Sequence, residues 1–201
     1  GVEVATGALQ TLQALEVLQA GFNEITSLAS CRGLRLSALK VLFLQGNDLV
    51  RLEGLEPLTS LRELVLDKNK IRLMDQPVLA PLQHLREVRM EDNGLKSLAN
   101  LPPLPKLLSL HLSTNRIADI SELERLLPLV SLIELSLANN PVARKQMYRA
   151  TVIQKVCTLR VLDNKEISPE ERERVDCLFG LDSRTSGGQV MRADTGWAGM
   201  A

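Results

Sequence analysis

The strongest constraint on the fold is a frame that recurs along the chain. Leu61–Met74 reads LRELVLDKNKIRLM, that is L-x-x-L-x-L-x-x-N-x-I-x-x-M. Leu39–Leu52 (LKVLFLQGNDLVRL) precedes it and Leu85–Leu98 (LREVRMEDNGLKSL) follows it in the same frame. The asparagines Asn23, Asn47, Asn69, Asn93, Asn115 and Asn140 follow one another at steps of 24, 22, 24, 22 and 25 residues. The matching units start at Leu15, Leu39, Leu61, Leu85, Leu107 and Leu132. A unit this short cannot bury its own leucines, so successive units must stack and cover one another.

Each unit predicts a strand of about three to five residues. Within Leu61–Asn69, a period of two sends Leu64 and Leu66 inward and turns Glu63, Val65 and Asp67 outward. Asparagine suits the turn because its side chain both donates and accepts hydrogen bonds. A column of six would satisfy buried backbone that no sheet partner reaches, which makes these residues structural.

The segments between frames differ in kind. Arg51–Ser60 (RLEGLEPLTS) carries Gly54 and Pro57 and predicts a tight 3₁₀-like turn. Lys96–Lys106 has three prolines and predicts an extended run. Asp119–Leu129 (DISELERLLPL) predicts a helix capped by Ser121 and ended by Pro128. After Asn140 the frame stops. Arg144–Cys157 predicts an amphipathic helix with Met147, Thr151 and Val152 near one face, and Leu159–Asp163 a half-strand. Ser168–Val175 predicts a helix with Ser168 as cap, Pro169 first and Glu171 in capping-box position.

The organisation is then a degenerate first unit or amino-terminal edge over 1–14, six repeats over 15–140, a closing cap over 141–179 and a disordered tail over 180–201. For 1–14, a short degenerate cap and a continuation of repeats upstream remain equal alternatives. Trp197 in the tail reads either as a docking anchor or as an incidental residue near a chain end.

The frame resembles the leucine-rich repeat, in the short intracellular class typified by a regulatory subunit of protein phosphatase 1. Asn140-Pro141, Tyr148-Arg149 and Leu159-x-x-Leu162-Asp163 are similar to a carboxyl-terminal cap. That regulator, the spliceosomal A-prime protein and the outer-arm axonemal dynein light chain share it. The likeness covers about residues 9–179. Asn140–Arg144 (NPVAR), Phe43–Asn47 (FLQGN) and Ser121–Leu123 (SEL) further resemble large multi-block leucine-rich repeat proteins of ciliated organisms. The implied fold is α/β: a right-handed leucine-rich-repeat solenoid with a parallel concave β-sheet. Its convex side would hold 3₁₀, extended and short helical segments, and a helical cap would close its carboxyl end.

Composition narrows the function. The chain has 24 Lys plus Arg against 24 Asp plus Glu, so its net charge draws it to neither nucleic acid nor an anionic membrane. No apolar run approaches the roughly 20 residues of a membrane span. Cys31, Cys157 and Cys177 are scattered and odd in number, which favours a reducing, cytoplasmic setting; the resemblance to proteins of ciliated organisms implies a cilium or axoneme within it.

No catalytic, cofactor or metal constellation stands out, and the chain reads as a non-enzyme. His84 and His111 have no ligand-type residues at metal spacing and are expected to be solvated. Ser37–Lys40 matches S-x-x-K, but Leu39 within it is a repeat leucine. Lys40–Phe43 (KVLF) matches a phosphatase-docking motif, yet such docking needs a free segment and these residues form an internal strand.

The outward strand positions are the informative surface. In register they give Val17, Gln19 and Gly21; Val41, Phe43 and Gln45; Glu63, Val65 and Asp67; Glu87, Arg89 and Glu91; Ser109, His111 and Ser113; Glu134, Ser136 and Ala138. Val17, Val41, Phe43 and Val65 would form an apolar patch with Phe43 exposed at its centre, beside Glu63, Asp67, Glu87 and Glu91 around Arg89. The expected partner is another protein, a basic amphipathic helix or loop docked in the concavity, with no direct nucleic acid and a monomeric module. A ciliary scaffold is the leading role, with a phosphatase regulator and an RNA–protein particle component behind it.

Overall fold

The computed structural model describes residues 13–29, 31, 36–74 and 76–180. Six three-residue strands repeat at the predicted places: β1 (Val17–Gln19), β2 (Val41–Phe43), β3 (Glu63–Val65), β4 (Glu87–Arg89), β5 (Ser109–His111) and β6 (Glu134–Ser136). With β7 (Val161–Leu162) and β8 (Lys165–Glu166) they form one eight-stranded sheet in sequence order. Pairing is parallel from β1 to β7, and β8 folds back antiparallel on β7. The register aligns Leu18, Leu42, Leu64, Val88, Leu110 and Leu135 as one inward row. The frame leucines from Leu39 to Leu132 are fully buried, so the core is one aliphatic column shared by all repeats. This is a leucine-rich-repeat solenoid with a parallel sheet on one side and short segments on the other.

The asparagine column works as its chemistry demands. Asn115 Nδ2 donates to Met90 O (2.8 Å) in the preceding repeat and to Leu112 O (3.0 Å) in its own, while its Oδ1 accepts from Leu95 N (3.0 Å). Asn47, Asn69 and Asn140 repeat the pattern. Asn23, at the first described repeat, is exposed, and among the described residues its side chain reaches only Gly21 O. The residue before each asparagine has positive φ: Phe22, Gly46, Lys68, Asp92, Thr114 and Asn139. Only one of these six is glycine, and β-branched Thr114 is among them. Backbone groups fixed across repeats hold the turn left-handed against that preference.

The convex side departs from expectation in detail. Arg51–Ser60 holds separate turns, closed by Leu58 N to Leu55 O and Leu61 N to Leu58 O. Lys96–Lys106 is non-helical as its prolines require. The segment 120–126 is a 3₁₀ helix with Asp119, not Ser121, at its cap. Its Glu122 turns to the preceding repeat and accepts from Ser97 Oγ (2.8 Å) and Leu98 N (2.6 Å). A four-residue helix α1 (Gln76–Leu79) was not foreseen.

The cap closes the far end. Where one helix was expected over 144–157, a 3₁₀ turn (Pro141–Arg144) precedes α2 (Tyr148–Lys155). Met147 is left-handed (φ 66) and exposed, so it ends the turn instead of joining the buried face of Tyr148, Val152 and Ile153. Asp163 and Asn164 both have positive φ and make the two-residue hairpin from β7 to β8, a signal present in the sequence but missed. In α3 (Pro169–Leu178) Ser168 accepts from Glu171 N (3.2 Å) as foreseen. Glu171 does not complete a capping box; its carboxylate pairs with Arg149. Most of 1–14 and all of 181–201, including Trp197, lie outside the described residues.

Candidate functional site: the concave face

The strands are too short to carry a ligand pocket, but their outward side chains form rows across the repeats. The first row runs Val17, Val41, Glu63, Glu87, Ser109, Glu134, and the second Gln19, Phe43, Val65, Arg89, His111, Ser136. The predicted juxtaposition is therefore present. Val17, Val41, Phe43 and Val65 adjoin across β1 to β3, and Arg89 stands among carboxylates on β3 and β4.

Burial corrects three expectations. Val65 is only 6 % exposed and His111 9 %, so neither is the open outward residue foreseen; His111 is not a solvated histidine. Each lies in register between neighbours, Val65 between Phe43 and Arg89 and His111 between Arg89 and Ser136. Phe43, between Gln19 and Val65, is half-buried. Phe22, at 72 %, is the openly exposed aromatic of the described repeats, which the alternation rule missed because it sits in the turn. A Cβ on Gly46 would stand 2.5 Å from Phe22 Cδ1, so the ring rests on that glycine. Only a residue without a side chain permits it. His84, as expected, is exposed, with Nδ1 3.2 Å from Thr59 O.

The acidic zone is organised by one arginine. Arg89 Nε donates to Asp67 Oδ2 (3.1 Å), and its other nitrogens lie 4.0 Å from Glu87 and 3.8 Å from Glu91. Asp67 Oδ1 also accepts from Glu91 N (2.7 Å), which fixes the carboxylate. Burial alone would lower the pKa of Arg89, but the Asp67 hydrogen bond and three carboxylates outweigh it and hold the guanidinium charged. Glu63 is pushed above the usual carboxylate range by burial and by the charge of Glu87, with Arg89 opposing. Three carboxylates lie within 4.0 Å of Arg89, and Glu63 and Glu134 stand on the same face, so the face is net acidic. Gln45 lies between the two zones, and its Oε1 is buried without a hydrogen-bond donor among the described residues. Gly21 leaves room for that amide: a Cβ there would stand 2.7 Å from Gln45 Cδ.

Lys40–Phe43 is paired on both edges as β2, and Leu42 is buried, so the phosphatase-docking motif is not a free segment. Among the described residues, no cluster of three His, Cys, Asp or Glu could hold a metal, and no helix is long and apolar enough to cross a membrane.

These features define a leucine-rich repeat protein, and the chain belongs to that family: the leucine-rich repeat model matches residues 82–191. It is 33 % identical over 137 residues to U2 small nuclear ribonucleoprotein A′ of Emericella nidulans, covering 68 % of this chain and 50 % of the relative. The human U2 small nuclear ribonucleoprotein A′ is 29 % identical over 147 residues, 73 % of this chain and 49 % of its own length. Human tubulin-specific chaperone E is 28 % identical over 208 residues, covering 92 % of this chain and 38 % of that protein. The chain thus spans about half the length of the A′ relatives it matches. The solved SNF/U2A′ complex of Drosophila melanogaster superposes with a TM-score of 0.56 at 23 % identity, covering 86 % of this chain and 90 % of that one. A Listeria monocytogenes internalin gives 0.61 at 19 %, covering 83 % and 52 %. At such identities the superpositions speak to fold. The chain is a leucine-rich-repeat module.

Proposed function

We propose that this chain holds a partner protein within a ribonucleoprotein-type particle, gripping a basic, apolar segment on its concave face. The observation that carries the site is the contiguity of Val41, Phe43 and Val65 with the acidic row around Arg89. Arg89 keeps Asp67 fixed and lies 4.0 Å from Glu87, while Glu63 and Glu134 are left to meet cationic side chains of a partner. The likeness to the A′ relatives supports the particle, and hence a nuclear setting, over the ciliary scaffold and the phosphatase regulator. Neutral net charge and an acidic concavity favour a protein contact over direct RNA contact.

The test is co-precipitation from nuclear extract with the tagged full chain, reading U2 RNA and its associated proteins. The wild type is expected to recover both. Phe43→Ala combined with Glu87→Lys is expected to lower recovery about tenfold or more, with an unchanged melting curve. Recovery that survives the double substitution would remove the site; no U2 RNA even with the wild type would remove the particle.

A further inference from the structure

A second row, outside the concave face, has the opposite charge. From the second frame onward, the residue after the first leucine stands at the amino end of each strand, following Glu16 of the first frame: Lys40, Arg62, Arg86, Leu108, Ile133 and Arg160. Backbone bonds link them in that order, each N–H donating to the preceding residue's carbonyl at 2.7 or 2.8 Å. The row is therefore basic, then apolar, then basic. Lys40 is neutralised by Glu16. Arg62, Arg86 and Arg160 are exposed and make no ion pair among the described residues.

The apolar centre opens into a groove. Leu108 and Ile133 are over a third exposed, and Val130 beside them is 63 % exposed. With Ile167 they line a trough of about 700 Å³ between the last full repeat and α3, with Arg160 and Arg172 also in its wall. Arg172 donates to Ile153 O (3.2 Å) and Leu159 O (2.5 Å), which fixes its guanidinium but leaves its charge without a paired carboxylate among the described residues. Among the described residues, no acidic side chain lines the groove.

We infer that this groove is a second docking surface for an acidic, amphipathic segment of a partner protein. Its apolar side chains would lie on Leu108, Val130 and Ile133, and its carboxylates would meet Arg86, Arg160 and Arg172. Contiguous aliphatic exposure marks an interaction surface, and unpaired guanidinium groups beside it select planar carboxylates. RNA would use the arginines and waste the trough, in which no described residue offers an aromatic ring for a base to stack on. The acidic concave face could not serve this partner, so the inference stands apart from the function proposed for that face.

Fluorescence anisotropy with the full chain tests it. The probe is a labelled synthetic peptide with leucines at helical spacing and glutamates elsewhere. Controls are the same peptide with lysine for glutamate, the same with serine for leucine, and a single-stranded oligouridylate. Only the leucine–glutamate peptide is expected to bind, and more weakly as salt rises. Val130→Ser with Arg160→Glu, both at exposed positions, is expected to weaken it about tenfold or more, while Phe43→Ala leaves it unchanged. Four results would overturn the inference: no binding of the acidic peptide, preference for the lysine peptide or RNA, loss through Phe43→Ala instead, or binding that appears only after removal of residues 181–201 or dissociation of a self-associated form. A melting curve for the double variant confirms that its fold is retained.

Discussion

Tyr148 donates its hydroxyl to Asp163 Oδ2 at 3.0 Å, and the other oxygen of that carboxylate accepts from Leu137 N at 2.7 Å. One acidic side chain thus joins the cap helix α2 to the last full repeat. Beside it, Arg149 forks onto both oxygens of Glu171 (2.6 and 2.8 Å) and donates to Leu162 O, tying α2 to α3 and β7. The cap is fastened by charge and hydrogen bonds around the buried Val152, Val156, Leu159 and Leu162.

This geometry sets an alkaline limit on stability. Burial, and then the negative charge of Asp163, push the phenol of Tyr148 far above its ordinary range. The unfolded chain releases that proton near pH 10, and the folded chain retains it. Stability is therefore complete below about pH 10 and falls as pH rises beyond it, because the unfolded state then binds fewer protons. Tyr148 is the sole tyrosine, so absorbance near 295 nm reports this group alone. Phenolate is expected to appear together with unfolding. Tyr148→Phe is expected to cost about 1 kcal/mol at neutral pH and to flatten the alkaline loss.

Asn115→Ala strands two carbonyls and one N–H inside the stack. The expected loss is about 2–4 kcal/mol in urea denaturation. Asn23→Ala, at an exposed position with one side-chain bond, is expected to cost less than about 1 kcal/mol. Equal losses at the two sites would contradict the role given to the buried column.

The left-handed column predicts opposite signs at two positions. Thr114→Gly relieves a β-branched residue at φ 56 and is expected to stabilise by up to about 1 kcal/mol. Gly46→Ala, at φ 67 and with the Phe22 ring 2.5 Å from the new Cβ, is expected to destabilise by about 1–2 kcal/mol. Thermal melts of both variants decide the matter.

Glu63 gives the concave face a pH dependence. Its folded-state pKa is raised, so its contribution to stability is full below the unfolded value near 4.3 and lost as pH rises through the folded value. Glu63→Gln is expected to melt slightly higher than wild type at pH 7.5, with the difference shrinking toward pH 5. Binding of a cationic partner would lower the pKa of Glu63, so proton release on binding should be measurable by calorimetry in buffers of different ionisation enthalpy.

The two faces of the solenoid were unequally legible. The concave rows followed from a period of two, and Glu87, Arg89 and Glu91 could be placed around one another before any coordinates. Their burial could not, because it depends on which long side chains flank Val65 and His111 across the ladder. The amino-end row of Arg86, Leu108, Ile133 and Arg160 was written in the same frame, but its meaning requires the cap helix that walls the groove.

The sequence by itself determined the repeat, its register, the buried leucines and the asparagine column, since each follows from a local period that the stack repeats. Tertiary structure decided the remainder. It held Thr114 and Phe22 left-handed, made 120–126 a 3₁₀ helix, and drew Glu171 away from its own helix end to Arg149. In each case a bond from a neighbouring repeat or cap element outweighs a local preference of about 1 kcal/mol.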